Sequence, residues 1–219
     1  DGKFVMINKI KKPFSYLVTY RRFPTSIDVY SIDSKHITNL VDIPLIEELP
    51  KGFMSVRKGK RSFRWRSDKA STLIYVVALD EGDPAKEVEF RDQIFELNAP
   101  FNNNGRSILK TINRFRGIDW GNKNIAIAYD YWWNTRNEKV YVFNPSDNSK
   151  TPKLITDRNY QDNYSDPGYF IKEKNQFNRS VLKINSQKTY LIGEGYTKNG
   201  QFPFIDVLDI NTLNKERVY

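Results

Sequence analysis

The sequence contains no cysteine and only one histidine, His36. Without cysteine the chain has no disulfide, no thiolate nucleophile and no zinc site with cysteine ligands, and one imidazole is too few for a zinc site with several histidines. In a Ser-His-Asp triad His36 would have to be the general base, but no G-x-S-x-G elbow supplies a nucleophile. We therefore expect His36 to be a surface or edge residue. We predict no catalytic residue in this chain, and we expect no metal and no cofactor.

Long apolar runs are also missing. No run reaches the roughly 18 residues that a membrane-spanning helix needs, so we expect no membrane association. The sequence starts at Asp1 with neither an initiator methionine nor a signal-peptide pattern, and it ends inside a predicted strand. We therefore expect this chain to be a piece of a longer protein.

Strand signals are what the sequence does contain. Aromatic residues make up 14% of the chain, and together with Val and Ile they form short runs separated by Asn, Asp, Gly and Pro. Such runs and turns predict strands. The predicted strands fall into four groups of four: 3–10, 16–23, 27–32 and 36–43; 62–67, 72–79, 90–99 and 107–113; 117–120, 124–133, 139–144 and 153–156; 180–185, 189–193, 204–210 and 216–219.

The grouping predicts an all-β fold, a partial β-propeller built of about four four-stranded antiparallel blades. The blade-like units cover approximately 1–50, 51–114, 115–158 and 178–219, with a long loop at 159–177. A four-stranded meander cannot bury both of its apolar faces alone, and stacking against neighbouring blades solves this problem. A β-sandwich is the alternative, but its strands would follow at a steadier spacing.

The chain is basic, with a net charge of +9. Basic and aromatic residues interleave in two segments, which predict a basic binding rim formed by Arg61, Arg64, Arg66, Arg114 and Arg116. Such a rim would favour acidic peptides by electrostatic steering. Similar interleaving occurs in proteins that bind single-stranded nucleic acid. On a strand, however, side chains alternate between the two faces. Phe63 and Trp65 would then lie on the core side, and Arg64 and Arg66 would lie on the opposite face. We expect no nucleic-acid partner.

Three further segments have simple interpretations. The glycine-rich segment 193–200 lacks the order of a phosphate-binding loop and precedes no helix, which favours a hairpin loop. The oxygen-rich segment 157–166 lacks the spacing of an EF-hand, so we predict no calcium site. The acids of 80–83 and the Arg91-Asp92 pair lie near one hairpin, where we interpret them as turn and ion-pair residues.

A set of short segments also occurs in a fixed order: KPFSYLV at 12–18, SFRWRSDK at 62–69, ALDEGDP at 78–84, FRD at 90–92, PF at 100–101, RFRGIDWG at 114–121, WWNTR at 132–136, GEG at 193–195, Gly200 and PFID at 203–206. Over nearly the whole chain, these segments resemble the propeller domain of the prolyl oligopeptidase family of serine peptidases. The resemblance is strongest to the glutamyl-endopeptidase-like branch of that family.

The resemblance implies a parent protein in which an N-terminal propeller caps a C-terminal α/β-hydrolase domain that carries Ser, Asp and His. The propeller would gate the access of peptides, so its partners would be the peptide substrate and the hydrolase domain of the same parent chain. The catalytic residues would lie beyond Tyr219, outside this chain. The family also implies a periplasmic or secreted location.

Two other functions remain open at this point. The first is a stand-alone propeller-type scaffold that binds proteins or glycans, and the second is a basic β-domain that binds nucleic acid. Whichever holds, blades cut from a larger ring leave open sheet edges, which pair readily with other strands. We therefore expect the isolated piece to self-associate or to be marginally stable.

Overall fold

In the computed structural model, which describes all 219 residues, the chain is all-β. The first eleven strands are β1 Phe4–Ile10, β2 Thr25–Ser31, β3 His36–Ile43, β4 Arg61–Trp65, β5 Thr72–Ala78, β6 Asp92–Asn98, β7 Arg106–Thr111, β8 Arg114–Asn122, β9 Ile125–Trp132, β10 Asn137–Phe143 and β11 Lys153–Asn159. The others are β12 Tyr169–Phe170, β13 Lys172–Lys174, β14 Ser180–Leu182, β15 Ile184–Asn185, β16 Lys188–Gly193, β17 Tyr196–Thr197, β18 Gly200–Gln201, β19 Phe204–Asp209 and β20 Lys215–Arg217.

Two short 3-10 helices, Tyr20–Arg22 and Asn163–Ser165, complete the regular structure. None of the helices is long and apolar enough to cross a lipid bilayer.

The strands form antiparallel sheets in two compact units. The first unit, residues 1–66 and 70–110, contains a three-stranded sheet in the order β1-β2-β3 and a four-stranded sheet in the order β4-β5-β6-β7. The second unit, residues 67–69 and 111–219, contains a four-stranded sheet in the order β11-β10-β9-β8. Its other large sheet has the order β12-β16-β19-β20, with β15 also paired to β16. Two small hairpins, β13-β14 and β17-β18, belong to the same unit.

In the first unit the two sheets share one apolar core. Ile27 and Val29 of β2 pack in the same cluster as Leu73 and Tyr75 of β5. Phe101 joins this cluster, with its ring centroid 5.3 Å from that of Phe4 and 5.8 Å from that of Trp65. These contacts bury the inner face of each sheet against the other.

The second unit follows the same plan. Ile127 of β9 and Val140 of β10 lie in one cluster with Leu191 of β16 and Leu208 of β19. The cluster therefore joins the faces of the two large sheets. Because burying apolar area is the main favourable contribution to folding, each meander depends on its neighbour for stability.

The all-β class and the antiparallel meanders are confirmed. The sheets β4–β7 and β8–β11 each take four consecutive strands, as expected of propeller blades. The total number of blades stays a prediction.

The segment 16–23 is not a strand, and this expectation was wrong. It contains the 3-10 turn Tyr20–Arg22, and the side chains of Tyr16 and Leu17 lie in solvent. The physical reason is that β2 already pairs with β1 on one side and with β3 on the other. The apolar composition of the segment therefore has no inner sheet position to fill, and the first sheet has three strands.

The segment 159–177, expected to be a loop, includes β12 and β13. β12 pairs with the outer side of β16, with Tyr169 opposite Ile192, and it places Phe170 in the core of the second unit. A strand of two residues leaves almost no periodic signal in a sequence. Burial of one aromatic ring holds it in place.

The glycine-rich segment forms a hairpin, as expected, with β17 paired to β18. Gly195 precedes it with a φ of +64°, in the left-handed region that favours glycine. A Cβ at this position would lie 1.7 Å from the carbonyl oxygen of Phe202, so the close backbone approach also requires glycine.

We expect Leu191→Ala to lower the free energy of unfolding by about 2–5 kcal/mol, because it removes a buried side chain and leaves a cavity. Leu191 is 1% exposed. The matched control is Leu154→Ala, since Leu154 is 45% exposed in the same unit and should cost under about 0.5 kcal/mol. Urea denaturation followed by tryptophan fluorescence measures both. Equal losses would contradict the assignment of this core.

Candidate functional site

Three of the five arginines predicted to form a basic rim are buried: Arg61 at 9%, Arg66 at 6% and Arg114 at 3% exposure. Arg61 forms an ion pair with Asp92, with 2.5 Å between Nη2 and Oδ2. Arg66 forms an ion pair with Glu96, which is itself buried. Asp92 and Glu96 both lie on β6, so the two ion pairs connect β6 to Arg61 on β4 and to Arg66 just after β4.

A β-bulge determines which face of the sheet Arg61 occupies. The register between β4 and β5 shifts between Arg61 and Arg64, and Ser62 has a φ of +55°. Across the bulge, Arg61 lies opposite Val76 and Arg64 lies opposite Ile74, so both are on the other face of the sheet from Phe63, which packs with Leu73 and Tyr75. Arg61 is buried there, while Arg64 faces solvent as expected. Arg66 follows the last residue of β4, where strand alternation no longer applies.

Arg64 and Arg116 are the exposed members of the set. Arg116 pairs with Glu138 at 2.6 Å, and its guanidinium carbon lies 5.9 Å from the centre of the Tyr131 ring. Arg61, Arg64 and Arg66 lie in the first unit, and Arg114 and Arg116 lie in the second. Binding by this set stays a prediction, and Arg64 and Arg116 are the members that solvent reaches.

The acidic segment 80–83 forms a turn held by an ion pair. Asp80 is buried, accepts a hydrogen bond from the Gly82 amide at 3.0 Å, and pairs with Arg91 at 2.9 Å. In the oxygen-rich segment 157–166, Asp162 caps the 3-10 turn and Asp166 pairs with Arg158. Nowhere does the structure group three potential metal-ligating His, Asp or Glu side chains.

One cluster contains the side chains of a Ser-His-Asp triad, and sequence reasoning missed it. The Ser26 hydroxyl donates to Asp28 Oδ2 at 2.7 Å, and His36 Nε2 lies 3.2 Å from Asp28 Oδ1. Asn39 donates to both Ser26 Oγ and Asp28 Oδ1 at 3.0 Å. The sequence contains one signal for this cluster: Ser26 and Asp28 are two residues apart, so they share one face of β2, next to β3.

The order of these groups excludes triad chemistry. A triad needs the imidazole between the hydroxyl and the carboxylate, so that it can take the proton of the nucleophile. Here the carboxylate of Asp28 lies between Ser26 and His36, and Ser26 is only 2% exposed. The cluster therefore cannot activate Ser26.

Asp28 instead connects three strands. Burial opposes its charged form, but hydrogen bonds from Lys9, Ser26, Asn39 and His36 hold its pKa well below the usual range. Lys9 lies on β1, Ser26 on β2, and Asn39 and His36 on β3. The carboxylate is a structural hub of the first sheet.

A cavity of about 480 Å³ lies in the first unit. Residues 41–50, residues 56–60 and Glu81 line it. Its walls are mainly apolar, and Arg57 is half-buried among them. Sequence reasoning did not select Arg57, because it lies before β4 in an irregular segment without strand alternation.

No family model matches the chain. A probable glutamyl endopeptidase, chloroplastic, of Oryza sativa subsp. japonica is 37% identical over 226 residues, and the protein of the same name in Arabidopsis thaliana is 36% identical over 227 residues. Both alignments cover 100% of this chain, and the chain spans 24% of the length of each relative.

Two solved structures are more distant. The β-propeller domain of the Trilobed protease from Pyrococcus furiosus aligns with 100% of this chain and 54% of that chain, at 11% identity and a TM-score of 0.49. An oligogalacturonate lyase in complex with manganese aligns with 99% of this chain and 50% of that chain, at 11% identity and a TM-score of 0.45. Neither TM-score reaches 0.5, so the description of the fold depends on the strands of this chain.

The alignments with the two plant relatives extend over the whole chain. The resemblance is therefore confirmed: this chain is similar along its entire length to part of the glutamyl endopeptidases, the branch of the prolyl oligopeptidase family that its ordered motifs indicated.

Proposed function

We propose that this chain is the non-catalytic propeller portion of a prolyl-oligopeptidase-like serine peptidase, and that it gates peptide access to a hydrolase domain of the same parent chain. The observation that carries the proposal is the 37% identity across the whole chain to a stretch of a probable glutamyl endopeptidase. The inverted order of Ser26, Asp28 and His36 supports a non-catalytic role for this part of the parent.

The sheets give a physical basis for gating. Meanders that share apolar cores form a stiff wall, and loops on a rigid scaffold are well suited to recognition. The peptide substrate and the hydrolase domain are the partners in this proposal. The location is outside the cytosol, periplasmic or secreted; the two plant relatives are named as chloroplastic.

Gating makes cleavage depend on the size of the substrate. In the parent protein, we expect kcat/KM to fall by more than about tenfold when one scissile sequence is moved from a short peptide to a surface loop of a folded protein, because a gate excludes bulky chains. Mass spectrometry of the products measures both rates. As a control, a protease without a gate should cleave the same loop when it is unfolded. Equal rates on the short peptide and the folded loop would refute gating.

The absence of catalysis is tested separately, on the Ser26 hydroxyl. We expect Ser26→Ala in the parent protein to leave kcat/KM within about twofold, since the hydroxyl is not activated. Any effect should instead be a lower thermal midpoint, because Asp28 loses a buried hydrogen bond. A drop in kcat/KM of more than about a hundredfold, with the fold intact, would show that Ser26 takes part in the chemistry.

Self-association of the isolated chain is part of the same proposal. β1 pairs only with β2, and Val5 and Ile7 on it are exposed. We expect the isolated chain to form dimers or larger species, and Val5→Lys to shift it toward monomer, because a charged residue on an edge strand opposes further pairing. Light scattering after size exclusion measures this. A monomeric wild-type chain at high concentration would contradict it.

A further inference from the structure

The cavity of the first unit has the size and lining of a ligand site. At about 480 Å³, it falls within the range of pockets that hold small organic ligands. Ile43, Ile46, Leu49 and Val56 contribute apolar wall. Such sites combine apolar walls with a few polar groups that fix the orientation of the ligand.

Arg57 is the polar group that stands out. Its Nη1 donates to the carbonyl oxygen of Lys58 at 3.0 Å, and its Nη2 donates to the carbonyl oxygen of Lys60. These bonds hold the turn that contains Gly59. A guanidinium has five N–H donors, so donors remain for a further acceptor.

The charge of Arg57 has no carboxylate beside it. Burial, together with the positive charge of Arg61, lowers the pKa of Arg57 to about 10, so the guanidinium remains charged at neutral pH. A partly desolvated charge is costly unless an opposite charge accompanies it. Arg61 differs in this respect, because Asp92 neutralises it.

Lys60 belongs to the same turn, but its ammonium group contacts residues outside the cavity lining. Its Nζ lies 3.5 Å from Asn104 Oδ1 and 5.1 Å from the centre of the Tyr75 ring. The backbone of Lys60 also accepts the bond from Arg57, so the two cations are anchored to the same turn. Neither Asn104 nor Tyr75 lines this cavity, so Arg57 is the cation that favours an anion at this end of it.

Most carboxylates that line the cavity already have partners. Glu81 pairs with Lys58 at 2.7 Å and with Lys86 at 3.0 Å, and Asp42 pairs with Lys11 at 2.8 Å. Glu47 accepts a hydrogen bond from Ser15 at 2.8 Å. Glu48 is exposed and is the internal group that could compete for Arg57.

We propose that this cavity binds a peptide through a carboxylate, which Arg57 holds while an adjacent apolar side chain of the peptide packs against Ile46, Leu49 and Val56. Guanidinium geometry suits a carboxylate because two parallel N–H donors can face its two oxygens. The carboxylate comes from an acidic side chain or from a peptide C-terminus. This site lies within the first unit and does not depend on the gating function.

The test uses the complete 219-residue chain and four probes. Acetyl-Leu-Glu-amide carries a side-chain carboxylate, and acetyl-Leu-Gln-amide is its neutral counterpart. Acetyl-Ala-Leu with a free C-terminus and its amide form the second pair. Calorimetric titration should show at least one carboxylate probe binding about tenfold or more tightly than its neutral partner, as expected for hydrogen bonds to a charged group. The pair that shows the difference identifies the source of the carboxylate.

Arg57→Gln should remove that difference, and Arg57→Lys should reduce it, because lysine keeps the charge but not the paired donors. The matched control is Lys51→Gln, which removes one exposed positive charge close in sequence but outside the cavity lining. It should leave the difference unchanged. Thermal unfolding of each variant checks that the turn at 57–60 still folds, and Arg57→Lys provides the test if Arg57→Gln does not fold.

Three results would overturn the proposal. The first is equal or undetectable binding of all four probes to the wild-type chain. The second is a preference for the carboxylate probes that persists in Arg57→Gln when this variant is folded. The third is binding that occurs only in Glu48→Gln, which would make Glu48 the resident partner of Arg57. None of these results bears on gating, which is measured by cleavage in the parent protein.

Discussion

The structure depends on one constraint, the apolar surface that each meander exposes on its inner face. In the first unit, β2 and β5 supply Val29 and Leu73 to a common core, and in the second unit β9 and β16 supply Ile127 and Leu191. Neither sheet of a pair could bury these side chains alone. The loops and charged groups described above are positioned by this sheet-to-sheet packing.

Much of the fold could be predicted from the sequence, because strands in meanders carry a local signal. Runs such as the one that became β5 are rich in β-branched and aromatic residues and end at turn residues, which is information contained within a few positions. The segment 16–23 carries the same local signal, yet it is not a strand. Whether β2 still has a free side for pairing is a tertiary fact, and no local pattern contains it.

The candidate sites could be predicted less well. The pairing of Arg61 with Asp92 depends on the bulge at Ser62, and the hub at Asp28 depends on the register between β2 and β3. Both are properties of strand pairing. The arginine-rich segments were a poor guide to a basic surface, since Arg61 and Arg66 pair with the buried carboxylates of Asp92 and Glu96 inside the unit. Arg57 differs because its neighbours in space are backbone carbonyls.

The hub at Asp28 gives the first sheet a sensitivity that the apolar cores do not have. A carboxyl group with a lowered folded pKa stabilises the folded state above its unfolded value of about 4, and this contribution is lost as the pH falls toward the folded value. Protonation would weaken the contacts of Asp28 with Lys9, His36 and Asn39 together, while leaving Val29 and Leu73 packed. In acid, the three-stranded sheet would therefore lose these side-chain bonds between its strands, while its backbone pairing and its core remained.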